Sequence, residues 1–357
     1  MPQNDHHIDS HKLHMHPQRV AAWLNGENIS PIYVEICPTG SCNHRCRFCS
    51  LDFMGYQSRH LPSDILMERL VEMGQAGVKS VMFAGEGEPL LHPEISRIAL
   101  GAKGAGIDVA FTTNGVLLSP DIAERILPVT SWIKISCNAG TADTYGYIHG
   151  TKPGDFEKVL SNIEHAANIR QKQRSSCSLG VQMLLLPENQ HEARELAGRA
   201  KLLGADYFVI KPFTLNPQSG KTEYAAVSYD NTSLLAEELA QLNDASFSVI
   251  FRHEAIGRWQ DRSKPYSKCL ALPFWSYIDS GGTMWGCFDF LGDSNFSHGN
   301  ILKESFVEIL NGSQRLNSLK WCESNLNASL CRPNCRLDPA NRYLWELKHP
   351  EAHVNFI

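Results

Sequence analysis

Much is missing from this chain of 357 residues, and each absence narrows its class. No run approaches the roughly 18 apolar residues that a membrane span requires. The first 30 residues lack the apolar stretch of a secretory signal, so a cytoplasmic protein with no membrane contact is expected. Positive charge is not in excess: 33 Lys and Arg stand against 38 Asp and Glu, a net charge of −5, with no dense basic stripe. General nucleic-acid binding, which depends on pairing many phosphates with cations, is therefore not expected. Internal repeats and low-complexity segments are also absent. Apolar residues at 43% and charged residues at 20% exclude a disordered, collagen-like or coiled-coil chain. What the chain does have is cysteine, 11 residues, together with 15 histidines. An odd count without an export signal argues against a disulfide framework, and clustered thiols in a reducing compartment more often hold metal.

The pattern along the chain predicts an α/β protein. Residues 1–30 form a polar arm carrying His6, His7, His11, His14 and His16, with a short helix near Arg19–Leu24. Apolar runs follow at Ile32–Ile36, Ser80–Phe83, Asp108–Thr112, Trp132–Ser136, Leu179–Leu185 and Tyr207–Ile210. Between them, segments such as Pro62–Ala76, Pro93–Ala105 and Asp155–Gln171 place apolar residues at helical spacing. Strand and helix alternating in this way are the repeat of a parallel sheet with right-handed crossovers. Six units over residues 31–215 predict a partial (β/α)6 TIM-like barrel, with its reactive groups at the C-terminal ends of the strands. Residues 216–262 read as a connecting segment with a helix at Ser233–Leu242 and a strand at Phe247–Arg252. Residues 263–357 read as a smaller extension: a β-hairpin (Trp275–Asp279 and Met284–Phe288) followed by short helices, Glu304–Asn311 and Gln314–Cys322.

Immediately after the first strand stands Cys42-Asn43-His44-Arg45-Cys46-Arg47-Phe48-Cys49. Three thiolates on one loop can hold a four-iron cubane through three irons and leave the fourth open. A closed zinc site, with His44 as fourth ligand, is the other reading of the spacing.

A C-x3-C-x2-C loop in this position, with an aromatic residue before the last cysteine, resembles the radical S-adenosylmethionine (SAM) superfamily. Gly85-Glu86-Gly87-Glu88-Pro89 after the second strand is similar to that family's GGEP motif, with Glu86 where a glycine is usual. The resemblance implies that the backbone edge at Gly87 and Glu88 receives the methionyl ammonium of SAM. It implies that Asn114, in Thr112-Thr113-Asn114-Gly115, and Ser136 and Asn138, in Ser136-Cys137-Asn138, offer polar groups to ribose or carboxylate oxygens. Strand alternation puts Ser136 and Asn138 on one face and Cys137 on the other. Gln182 on the fifth strand and Lys211 at the end of the sixth are further expected cofactor neighbours. Cys37, at the end of the first strand, is a candidate hydrogen-atom donor to a substrate radical, as in radical epimerases.

The C-terminal cysteines are Cys269, Cys287, Cys322, Cys331 and Cys335, and Gly282 precedes Cys287 by five positions. This pattern resembles the SPASM/Twitch extension behind many radical SAM barrels. It implies an auxiliary [4Fe-4S] cluster on Cys269, Cys287, Cys331 and Cys335, with Cys322 as a spare buried thiol, and a closed zinc site as the alternative. Other polar residues at strand ends or on the tail are Tyr145, Tyr147, His149, Arg252, His253, Glu254, Asp338 and Asn341.

The resemblance therefore implies SAM and two [4Fe-4S] clusters as cofactors and a reduced donor of flavodoxin or ferredoxin type. It implies hydrogen abstraction from a C–H bond, with oxidation or epimerisation as the outcome. A small polyhydroxylated substrate (sugar, aminocyclitol or nucleotide-linked sugar) is expected, because about 30 residues before the barrel are too few for a leader-binding domain. Modification of a ribosomal peptide is the alternative. From other classes, a non-catalytic zinc or iron–sulfur binding protein and a pure electron carrier are the competing readings.

Overall fold

A computed structural model describes residues 10–356; His6 and His7 of the polar arm lie outside the described residues. One sheet of ten strands organises the chain, in the order β10-β9-β8-β1-β2-β3-β4-β5-β6-β7. Seven strands follow one another in parallel: β1 (Tyr33–Ile36), β2 (Ser80–Phe83), β3 (Asp108–Thr113), β4 (Thr130–Ser136), β5 (Ser178–Leu185), β6 (Tyr207–Pro212) and β7 (Ser248–Phe251). β5 is buried along nearly all its length, as expected of a parallel strand covered on both faces.

Helices cover the outside. In the helix Ser63–Gln75, Leu66, Leu70 and Met73 recur at helical spacing and face the sheet. The helix Gly154–Gln173 buries Phe156, Val159, Leu160 and Ile163 in the same way and ends at Arg174, a left-handed residue with φ 52°. These side chains join Phe83, Phe111 and Ile133 in the main core. Truncating such a residue, for instance Leu70→Ala, costs about 2–5 kcal/mol.

Two features depart from the expected layout. The segment expected to be a connection supplies β7, which pairs in parallel with β6 (Tyr207 opposite Ser248, Ile210 opposite Phe251), so the parallel array runs one strand beyond residue 215. The hairpin of β8 (Trp275–Ile278) and β9 (Thr283–Trp285) is not an appendage. β8 pairs in parallel with β1 on the other edge, and β10 (Ser297–Asn300) closes antiparallel on β9. All four residues of β8 are buried, which is why this strand joins the sheet. The extension thus shares backbone hydrogen bonds with the strand that leads into the three-cysteine loop.

Candidate active site and cluster-binding cysteines

The loop after β1 is pinned from below. The amides of Arg45 and Arg47 donate to the carbonyls of His149 (3.0 Å) and Ile148 (2.9 Å), at the end of the helix Ala142–His149. Lys221 Nζ donates to the Cys46 carbonyl at 2.5 Å. Cys42 and Cys46 are pushed up in pKa by burial first, Cys42 to about 11, and next among the causes that raise them is the charge of neighbouring loop thiols or, for Cys42, Glu88. His149 is buried and neutral, its pKa lowered by desolvation and by His44. Its Nε2 accepts from the Asn138 amide at 3.2 Å. That assigns the proton to Nδ1, which points at Cys46 Sγ, 3.4 Å away. A hydrogen bond to a ligand sulfur is a means of tuning cluster potential.

The donor set fits a cubane better than zinc. Among the described residues, the one trio of possible ligand atoms within 4.8 Å of one another is His44, Cys46 and His149. His149 is committed by its hydrogen bonds, with a proton on the nitrogen that faces Cys46. The cysteines, in threes, stand wider than that distance, whereas a tetrahedral zinc holds its sulfur ligands about 3.8 Å apart. All eleven thiols are free of disulfides.

Beside the loop, the turn after β2 forms a cradle. Gly85 has φ +128°, and a Cβ there would stand 2.5 Å from Tyr277 Oη and 2.7 Å from Cys37 Cβ. At Gly87 a Cβ would meet the Thr39 carbonyl oxygen at 2.0 Å, so only glycine lets these backbones approach. Both carboxylates of the turn are already engaged. Glu88 accepts from Thr113 Oγ1 (2.6 Å), the Asn114 amide (2.7 Å) and the Leu90 amide (3.1 Å). Its side chain therefore braces β3 against the turn and leaves the backbone as the free edge. Glu86 accepts from Tyr277 Oη (3.0 Å), the Ser280 amide (3.1 Å) and Ser280 Oγ. The residue that departs from the family motif thus ties the turn to the extension's hairpin. Burial raises the pKa of both acids and these hydrogen bonds oppose the rise.

Three cavities run end to end from this cradle. The first, 160 Å³, is lined by Cys42, Cys46, Cys49, Gly87, Glu88 and Asn114, among others. Through Phe48, Cys49, Gly85, Thr112 and Ser136 it adjoins a lumen of 260 Å³, walled by Glu35 of β1, Met82 of β2, Lys134 of β4, Gln182 of β5 and Lys211 of β6. One cavity touched by six consecutive strands shows that the sheet curls into a partial barrel. Through Ser50, Lys211, Phe288 and Arg336 the lumen passes to an outer chamber of 190 Å³ that reaches Cys335.

The four auxiliary cysteines converge on the far side of that chamber. Burial is the main cause raising the pKa of Cys269 and Cys287, and Cys335 acts on both. Asn341 orders this site: Oδ1 accepts from the Leu270 and Ala271 amides at 2.7 and 2.9 Å, and Nδ2 donates to Cys269 Sγ at 3.4 Å. The Leu337 amide donates to Cys335 Sγ at 3.4 Å. Lys264 fastens the carbonyls of Ala328 (2.9 Å) and Cys331 (2.6 Å). Cys322 packs in the apolar cluster with Phe296 and Trp285, as expected of a spare thiol.

The structure does not bring every expected residue to the site. Asn138 is buried away from the cavities, its Oδ1 accepting from the Leu184 amide at 2.6 Å and its Nδ2 facing His149. Alternation does place Cys137 in the helix-side core. Cys37 lies behind Gly85, fully buried, its thiol donating to the Thr39 carbonyl at 3.0 Å, and it lines none of the three cavities. Lys211 lines the lumen and outer chamber rather than the cradle. Glu35, Lys134 and Arg336 escaped the sequence reading. Lys134 stands two residues before Ser136 on the same strand face, and Arg336 follows Cys335, so alternation and adjacency were signals for both.

The radical SAM superfamily model matches residues 36–200, and the SPASM iron–sulfur cluster-binding domain model matches residues 269–336. Over 128 residues the chain is 30% identical to an AdoMet-dependent heme synthase of Methanosarcina barkeri, covering 35% of this chain and 36% of that protein. Over 134 residues it is 33% identical to a GTP 3',8-cyclase of Chlorobaculum tepidum, covering 37% and 40%. The chain therefore matches less than half the length of either relative. In fold it is similar to Streptococcus suis SuiB bound to S-adenosylmethionine, with TM-score 0.64 and 17% identity over 94% of this chain and 78% of SuiB. No described helix is long and apolar enough to cross a membrane. The two domain matches, the cysteine sets on which they fall and the glycine cradle agree: the chain belongs to the radical SAM superfamily and carries a C-terminal SPASM-type iron–sulfur domain.

Proposed function

We propose that this enzyme takes a hydrogen atom from a C–H bond of a small polyhydroxylated substrate held in the lumen, and oxidises or epimerises the carbon. The observation that carries the reading is the series of three adjoining cavities, neighbours sharing lining residues, from Cys49 and the Gly85–Glu88 turn, past six strand ends, to Cys335. Cys42, Cys46 and Cys49 would hold the first cluster, which when bound would supply the electron for reductive cleavage of SAM and so the hydrogen-abstracting chemistry. The rest falls to the protein's own groups. Gly87 offers a backbone edge uncluttered by a side chain, and Glu88 holds that edge by its three accepted hydrogen bonds. Phe48 and Phe288 wall the lumen with apolar surface, and Ser136 and Gln182 present polar atoms to hydroxyl groups. Cys335 lines the outer chamber, so a cluster held there would sit beside a substrate in the lumen and would suit removal of an electron from it. That placement supports oxidation over epimerisation, since Cys37 faces away from the lumen. A donor of flavodoxin or ferredoxin type is the proposed source of the first electron.

The test is anaerobic turnover with dithionite, SAM and a panel of C-deuterated sugars and aminocyclitols. Deuterium appearing in 5′-deoxyadenosine identifies the substrate class. Label transferred only from a ribosomal peptide would replace this reading with peptide modification.

A further inference from the structure

Buried charge is distributed unequally along the run of cavities. The outer chamber is lined by Lys211, Arg252, Arg258, Arg332 and Arg336, and among the described residues no Asp or Glu lines it. The acids that answer some of these cations stand behind them: Glu35 pairs with Arg336, Asp289 with Arg332 at 3.0 Å, and Asp338 with Arg258 at 3.7 Å. Lys211 has no acid within ion-pair distance among the described residues, and neither has Lys134, which lines the adjoining lumen. Burial, Lys134, Arg252, Arg336 and Arg332 all act on Lys211 in the same direction, lowering its pKa. Holding two buried lysines beside arginines with no acid of their own is unfavourable, and a fold keeps such an arrangement where a ligand supplies the missing negative charge.

Resting on the radical SAM reading, we propose that the substrate carries an oxyanion, a phosphate or carboxylate, seated in this chamber by Lys211, Arg252, Arg332 and Arg336 with Lys134 at its inner edge. The anion would fix one end of the molecule beneath the auxiliary site and leave its hydroxylated carbons in the lumen, facing Cys49 and Gly85. Guanidinium groups suit either anion through paired N–H donors, and the two lysines add charge. The carboxylate of SAM is a poorer fit for this seat. The turn Gly85–Glu88, where its amino group is expected, does not border the chamber, and the cradle cavity and the chamber share no lining residue.

The test uses cluster-loaded enzyme under anaerobic conditions at fixed low ionic strength. Inorganic phosphate, glucose 6-phosphate, glucuronate and neutral glucose are titrated by calorimetry, for wild type, Lys211→Met and Lys211→Arg. Lys211→Met keeps the length and apolar stem of the side chain in its buried place, so the fold is expected to persist with the Tm of the ligand-free variant no lower than wild type. The proposal predicts at least tenfold tighter binding of an anionic probe than of glucose. It predicts at least a tenfold loss in Lys211→Met with recovery to within threefold in Lys211→Arg. Tighter glucose 6-phosphate assigns a phosphate, and tighter glucuronate a carboxylate. Anions that bind no better than glucose would overturn it. So would a loss of SAM affinity in Lys211→Met as large as the loss of anion affinity. Formation of 5′-deoxyadenosine from SAM and dithionite, measured on the same preparation, tests the radical SAM reading separately.

Discussion

The cradle and the outer chamber lie at opposite ends of a series of adjoining cavities and handle buried charge in opposite ways. In the cradle every carboxylate oxygen is employed: Glu88 braces Thr113, Asn114 and Leu90, and Glu86 reaches Tyr277 and Ser280. In the chamber the charges are cationic, and Lys211 lacks any acid partner among the described residues. Groups already satisfied by the protein hold a shape, whereas groups left without a counter-charge await a ligand. The cradle is thus a preformed mould for a cofactor that it meets largely with backbone, and the chamber is a seat whose electrostatics are completed by what binds there.

The largest effects should come from the cysteines. Cys42→Ala, Cys46→Ala or Cys49→Ala removes one of three ligands and is expected to abolish 5′-deoxyadenosine formation. Persistence of SAM cleavage in any of them would contradict the assignment. Cys335→Ala is expected to lower the iron content by about half, because four-iron clusters are held cooperatively by their full ligand set. Next come the engaged acids. Glu88→Ala leaves three buried donors unmatched and should cost about 2–4 kcal/mol, seen as a fall in Tm. Glu86→Gln keeps an acceptor but loses charge assistance, so about 1–2 kcal/mol is expected. The same change should speed hydrogen exchange at the Ser280 amide. If neither acid mattered, the contrast between the two ends would lose its first half.

The second half can be sharpened by pH. Burial is the main cause lowering the pKa of Lys134 to about 8, with Arg252 and Arg336 adding to it and Glu35 opposing it. The Trp132 ring lies 5.2 Å from its Nζ. A base whose folded pKa is depressed carries its charge below that value, so anion affinity should be full below pH 8 and fall above it. The stability of the ligand-free fold should move the other way, rising between pH 8 and the pKa of a free lysine near 10.4. Glucuronate, whose own charge is constant there, is expected to bind up to about tenfold more weakly at pH 9 than at pH 7. A flat profile would remove Lys134 from the seat. The smallest effect is expected at Cys37. Its thiol is buried behind Gly85, so Cys37→Ala should cost about 1 kcal/mol and leave the product unchanged. Loss of product with continued SAM cleavage would instead make it the hydrogen donor.

Much of this was legible in the sequence, because short parallel strands buried on both faces and amphipathic helices write distinct periods. Ser80–Phe83 was placed to the residue, and the other five barrel strands to within two. The three-cysteine loop and the glycine turn were legible because their spacing is local. What was not legible was non-local. The pairing of Trp275–Ile278 with Tyr33–Ile36 joins residues some 240 apart, and nothing in either segment announces the other. Asn138 looked like a site residue by type and position, but the chain curves just past Ser136 and spends its amide on Leu184 and His149. The chamber's cations come from β6, from the turn and helix after β7 and from the extension, and a low overall basic content concealed their convergence.

The central claim, that two iron–sulfur sites flank one substrate space, is tested most directly by counting metal. On anaerobically purified protein, about eight irons per chain with equal sulfide and negligible zinc are predicted, four for each cubane. Zinc in place of iron after such handling would contradict the account.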